Sequence, residues 1–94
     1  MLTENLIRSL KVSKMINFHT FNVAINDDIA SFHLSSKDFN DSEVSVRIVN
    51  NLLVIEAYKN EMFWKSELII PGKQFNRLRS SHIKKDTLKI FLTE

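Results

Sequence analysis

The stretch from 44 to 58, VSVRIVNNLLVIEAY, constrains the fold of this chain more than any other part of it. In its first half, VSVRIV, every second residue from Val44 onward is apolar. This is the period of two that a strand with one buried face shows. Asn50 and Asn51 follow, and asparagine tolerates the positive φ that a tight hairpin turn needs. The next four residues, LLVI, are all apolar, as in a strand that is covered on both faces. The stretch therefore predicts an antiparallel β-hairpin.

The same alternation and the same turn residues recur on both sides of this hairpin. Upstream, apolar residues stand at every second position in segments 21–25 and 30–34. An Asn-Asp-Asp turn separates the two segments, which predicts a second hairpin. Downstream, a strand that ends at Pro71 places Trp64, Leu68 and Ile70 on one face and Phe63 and Ile69 on the other. Two further strands are predicted at 78–82 and 88–92. About seven short strands separated by regular turns predict an all-β fold, a small antiparallel β-sandwich.

The N-terminal residues show a helical period instead. Leu2, Leu6 and Leu10 recur at the spacing of one helix face, and Thr3 is placed to cap a helix over 4–14. We therefore divide the chain into a helical extension, 1–16, and a sandwich domain, 17–94. The helix is expected to cover part of the domain or to contact a neighbouring subunit or client, and a membrane-surface helix is a weaker alternative.

Composition excludes several classes of protein. The chain has no cysteine, so neither disulfides nor thiolate metal sites are available, and a cytoplasmic location is the natural expectation. No apolar run approaches the ~20 residues that a membrane span needs. The three histidines fall on three different predicted strands, and one glycine cannot make a glycine-rich phosphate loop. We expect no catalytic residues, no metal and no cofactor, and hence no enzyme.

Several segments together resemble the α-crystallin domain of small heat-shock proteins. The resemblance extends over roughly residues 18–93, and its parts stand in the order and spacing of that family. They are Glu43-Val44-Ser45-Val46, the turn Asn50-Asn51, Leu53-Val54-Ile55, the strand from Trp64 to Ile70-Pro71, and Leu88-Lys89-Ile90. The resemblance implies a crystallin-like or immunoglobulin-like sandwich that binds other proteins without chemistry.

The chain also departs from the family pattern. Ser81, Asp86 and Thr87 replace an alanine, a glycine and an aliphatic residue, and Ser66 takes the place of a usual arginine. The loop 59–61 is too short to be exchanged between subunits, and no Ile-x-Ile tail follows the last strand. The CS domains of co-chaperones and the crystallin-like domain of arsenite-pump-type ATPases are near alternatives.

These observations lead us to expect an ATP-independent holdase for unfolded proteins, which acts through apolar grooves and strand edges. An adaptor that binds one chaperone or ATPase partner is the alternative. In the resembling family a groove between the strands at 44–49 and 78–82 receives aliphatic motifs. The candidate contacts are therefore Val46, Ile48, Leu78 and Ser80 in the groove, Phe63 and Ile69 as exposed apolar residues, and Leu2, Leu6 and Leu10 on the helix.

Two further expectations concern charge and assembly. Segment 59–94 has eight basic and four acidic residues. Nucleic-acid binding is therefore a third candidate function, through a cluster of Lys73, Arg77, Arg79, Lys84, Lys85, Lys89 and Phe75. The surplus of apolar residues over what one core can bury predicts a homodimer or another small oligomer, since small domains gain from a shared core.

Overall fold

The computed structural model describes residues 14–94, and seven antiparallel β-strands make up most of this part of the chain. The predicted all-β fold is confirmed. The predicted helix over 4–14 lies outside the described residues except for Lys14, which is not helical. The strands are β1 (Thr20–Asn26), β2 (Ile29–Ser35), β3 (Glu43–Val49), β4 (Leu52–Lys59), β5 (Met62–Ile69), β6 (Arg77–Lys84) and β7 (Thr87–Thr93), with a short 3-10 helix at Lys37–Phe39.

The strands form two sheets that share one core. One sheet has four strands in the order β1-β2-β7-β6, and the other has three in the order β3-β4-β5. Strands β2, β4 and β7 lie inside their sheets, and this is why their inward residues are the most deeply buried. The core formed by these three strands contains Ala30, Phe32, Leu34, Leu53, Ile55, Ala57, Leu88, Ile90 and Leu92. The two sheets therefore form a small β-sandwich.

Four two-residue turns close the hairpins, and each begins with a residue in the left-handed region. These residues are Asp27, Asn50, Asn60 and Lys85, with φ between 54° and 58°. Aspartate and asparagine tolerate this conformation because their short polar side chains can bond to the local backbone. The predicted turn at Asn50 is confirmed, with Val49 and Leu52 paired on either side of it.

The segment before β1 extends the three-stranded sheet. Lys14 N–H donates to the Phe63 carbonyl at 3.0 Å, and Lys65 N–H donates to the Lys14 carbonyl at 2.9 Å. Two residues later, Ile16 is 4% exposed and belongs to the core. The folded unit thus already includes residues 14–16, which the sequence assigned to the N-terminal extension.

Two aromatic residues outside the strands complete the core. Phe39, on the 3-10 helix, is 1% exposed, and Ser36 caps this helix by accepting a hydrogen bond from the Asp38 amide at 3.1 Å. Phe75, in the connection between β5 and β6, is also 1% exposed. Each of these two connections therefore places an aromatic ring in the core.

Within residues 14–94, no helix has the length and hydropathy that crossing a membrane would need.

Candidate protein-binding surfaces

Apolar side chains line the edge strands β3 and β6 where these strands meet, and we call this apolar strip the groove. These two strands contact each other, although they belong to different sheets. On β3, Val46 and Ile48 pack against the core but are only half buried. On β6, Leu78 and Ile83 remain 39% and 42% exposed. The groove is thus apolar along both strands and accessible from outside.

A β-bulge in β6 changes which of its residues can face this groove. The ladder with β7 pairs Leu78 with Leu92 and then Ser80 with Phe91, so that one extra residue lies between the pairs. Residues opposite each other in a ladder share a face, and successive residues of β7 alternate between faces. Ser80 therefore lies on the outer face of the sheet, whereas Leu78 lies on the core face. The predicted groove position of Ser80 is taken by Ser81, which is opposite the buried Ile90.

The outer face of the three-stranded sheet holds the other two predicted contacts. Phe63 stacks on Tyr58, with ring centroids 4.7 Å apart and an interplanar angle of 29°. Ile69 is 78% exposed and lies opposite Leu52 at the other end of the same strand. The structure therefore places Phe63 and Ile69 on one face, away from the groove. The predicted contacts Leu2, Leu6 and Leu10 lie outside the described residues.

Strand β1 presents a third apolar surface, which the sequence did not predict. Phe21, Val23 and Ile25 are 49%, 41% and 54% exposed. They lie opposite Leu34, Phe32 and Ala30 of β2, all of which are buried in the core. The apolar face of β1 therefore continues the core face of its sheet beyond the part that the second sheet covers.

The outer face of the four-stranded sheet is basic. His33, Lys89 and His82 stand side by side on β2, β7 and β6, since Lys89 is paired with both histidines. A shallow depression of about 820 Å³ surrounds them, and its lining also includes Ile83, Lys84, Lys85, Asp86 and Thr87. The half-buried Phe91 borders a second depression that shares His33 and Lys89 with the first. This face could hold an anionic group.

Phe75 does not belong to this basic face, which corrects the cluster predicted from the sequence. Because Phe75 is 1% exposed, its ring cannot stack on a base. The signal that could have indicated its burial is its position in a connection that is otherwise polar. Phe39 occupies the same kind of position and is equally buried.

Two ion pairs lie among the described residues. His19 Nε2 is 3.4 Å from the Asp86 carboxylate, and Arg47 Nε is 3.6 Å from the Glu56 carboxylate, whose side chain is largely buried. In residues 14–94, no three metal-binding side chains come together. The chemistry that these surfaces offer is apolar contact, backbone pairing and attraction of anions.

Comparison with known proteins adds no family to this geometry. No family model matches the chain, and no curated protein matches its sequence.

Proposed function

We propose that this protein is an ATP-independent holdase of the α-crystallin type, which binds exposed apolar segments of unfolded proteins. The observation that carries the proposal is the partly exposed apolar surface along the contacting strands β3 and β6. Leu78 and Ile83 keep about two fifths of their surface exposed on β6, and Val46 and Ile48 are only half buried on β3. Apolar surface left open on a small domain commonly marks a binding site for another protein. The two-sheet antiparallel sandwich is the fold that the sequence resemblance implies.

The groove suits a client segment because it combines apolar side chains with a strand edge. An extended peptide could place alternate side chains between β3 and β6 while its backbone bonds to a free edge. Ser81 lies between Leu78 and Ile83 on the same face of β6, and its side chain is small. Binding of this kind depends on apolar burial, and nucleotide hydrolysis is not needed for it.

The test is suppression of aggregation. The protein should slow the aggregation of two unrelated clients, one heated and one reduced, at near-stoichiometric ratio and without nucleotide. Leu78→Ser should weaken this protection, because it removes apolar surface from the groove, and Leu78 does not line the basic depression. Ile69→Ser is the matched control, since Ile69 is more exposed but lies away from the groove. If neither client is protected by the unaltered protein, the holdase proposal fails. If Ile69→Ser is the variant that loses protection, the client site lies on the outer face of the three-stranded sheet.

An adaptor that binds one protein partner is the alternative use of the same groove. A pull-down from the native cell separates the two functions, because a holdase recovers many proteins after heat shock and an adaptor recovers one in all conditions. If the protein is an adaptor, Leu78→Ser should still weaken binding of the partner, but the unaltered protein should not protect unrelated clients.

Polyanion binding is a second candidate, and the basic outer face of the four-stranded sheet favours it. Lys89 lies between two histidines there, and Lys84 and Lys85 line the same depression. A single-stranded oligonucleotide should then bind with an affinity that falls steeply as salt is raised. Lys89→Glu should abolish this binding, whereas Lys73→Glu, which places the same change outside the depression, should weaken it little. Absence of binding at low salt would remove this candidate.

A further inference from the structure

Strand β1 has an open edge with none of the features that protect the other edges. Its sequence, TFNVAIN, contains no charged residue and no proline. Among the described residues, only β2 pairs with it. Exposed edges of this kind are normally blocked by charges, proline, bulges or a covering segment, because they pair readily with another strand.

The other three edges each carry such a feature. Lys14 pairs along the edge of β5, and this pairing covers part of that strand. Strand β6 has a bulge and three basic residues, and β3 has Glu43 and Arg47 and lies against β6. In residues 14–94, β1 is therefore the edge that is left free to associate.

The hairpin geometry determines which backbone groups of β1 point outward. Asn26 and Ile29 flank a two-residue turn, so they form a hydrogen-bonded pair, and such pairs alternate along an antiparallel ladder. Thr20, Asn22 and Ala24 therefore direct their N–H and C=O groups to β2. The free groups belong to Phe21, Val23 and Ile25, which are also the exposed apolar residues.

We propose that two copies of this chain pair through β1 in antiparallel orientation about a two-fold axis at Val23. In this register Val23 faces Val23 of the partner subunit, and Phe21 faces Ile25 of the partner subunit. Every free N–H and C=O group of these residues then meets one on the other copy, because both strands expose the same set. The two apolar strips join on one face, and the two four-stranded sheets become one sheet of eight strands.

The partner is a second copy because the strand is complementary to itself. Val23 is the middle residue of the seven in β1, so the two-fold register uses the whole strand. No like charges meet along it, and the acidic turn that begins at Asp27 comes near His19 of the partner subunit. A two-fold contact of this kind closes on itself and stops at a dimer. This inference does not depend on the holdase function.

Single-cysteine variants of the full chain test the register, because the protein has no cysteine of its own. Across the two-fold axis, the Cα atoms at position 23 would be about 5.5 Å apart, within disulfide range. The Cα atoms at position 25 would be about 14 Å apart, which is beyond it. With oxidised glutathione as the electron acceptor, Val23→Cys should form a covalent dimer quickly, and Ile25→Cys should not. Equal cross-linking of both variants, or of neither, would overturn the proposal.

A proline substitution tests the edge itself. The Val23 N–H points away from β2, so Val23→Pro removes no hydrogen bond within the protomer, and proline is tolerated at such edge positions. Light scattering after gel filtration should show a dimer for the unaltered protein and a monomer with unchanged circular dichroism for Val23→Pro. Ile69→Lys, at an exposed apolar position on the other sheet, should leave the dimer intact. A monomeric unaltered protein would mean that another segment covers β1, and a dimer that survives Val23→Pro would place the interface elsewhere.

Discussion

The Ser66 hydroxyl accepts a hydrogen bond from the backbone N–H of Ile16 at 3.0 Å, and both residues are buried. This bond joins the segment before β1 to the inner face of β5, immediately beside the backbone bonds of Lys14. It also explains what a serine does on a strand face that is otherwise apolar.

We therefore expect Ser66→Ala to destabilise the protein. The change leaves the Ile16 N–H without its acceptor inside the core, which costs about 1–3 kcal/mol. Ser45→Ala, at an exposed position on β3, is the control and should change the midpoint of urea unfolding little. Equal midpoints for the two variants would mean that water replaces the hydroxyl of Ser66.

The burial of Phe75 leads to a second prediction. Phe75→Ala should lower the free energy of unfolding by about 3–5 kcal/mol, since it empties a ring-sized volume in the core. Phe21→Ala removes the same ring from a position that is 49% exposed, so its effect on the protomer should be much smaller. Denaturant unfolding of both variants measures the difference. Similar losses would contradict the placement of Phe75 in the core.

The bulge in β6 predicts different effects for substitutions at two neighbouring serines. Ser81 lies on the groove side of the sheet and Ser80 on its outer side, because the ladder with β7 shifts between Leu78 and Ser80. Ser81→Phe should fill the groove and reduce protection of clients, whereas Ser80→Phe should leave protection unchanged. Aggregation assays with both variants, checked for folding by circular dichroism, distinguish them. Loss of protection with Ser80→Phe alone would contradict the observed register.

Lys85 leads to a prediction about stability. It is the only residue other than aspartate or asparagine among the described residues with a positive φ, and its value is 58°. Lys85→Asn should therefore raise the free energy of unfolding, by about 0.5–1 kcal/mol, because an ordinary side chain in this conformation costs about 1–2 kcal/mol. Lys84→Asn, one residue earlier in β6, is the control and should give no gain. A lower melting temperature for Lys85→Asn would show that the lysine makes a compensating contact.

The sequence was sufficient to predict the strands and hairpins, because their period of two and their turn residues are local signals. The alternation predicts that Trp64, Leu68 and Ile70 share one face, and all three lie in the core or pack against it. The sequence could not predict the bulge near Ser80, since nothing in the alternation of β6 marks an extra residue. A strict period of two therefore places Ser80 on the same face as Leu78, whereas the bulge places Ser81 there.

The candidate surfaces were harder to predict than the strands, because the exposure of a strand depends on what packs over it. The apolar alternation of Phe21, Val23 and Ile25 indicates a buried face, yet the second sheet does not extend over β1. The basic row of His33, Lys89 and His82 is assembled from three strands that are distant in sequence. Periodicity identifies which residues share a face, but the packing of the sheets determines which faces stay open.

The pairing of β2 with β7 has a consequence for the order in which the chain folds. Every other ladder in the described residues joins consecutive strands through a short turn, whereas this one brings together Ser35 and Thr87, 52 positions apart. Local hairpins form in about 1–10 µs. Pairing two strands that are far apart in sequence is slower, because closing the long loop between them costs conformational entropy. On the ribosome, β1 to β5 can therefore collapse early, while β2 keeps its second edge open until residues 87–93 emerge. During synthesis the molecule is thus itself a chain with exposed strand edges, of the kind that holdases bind.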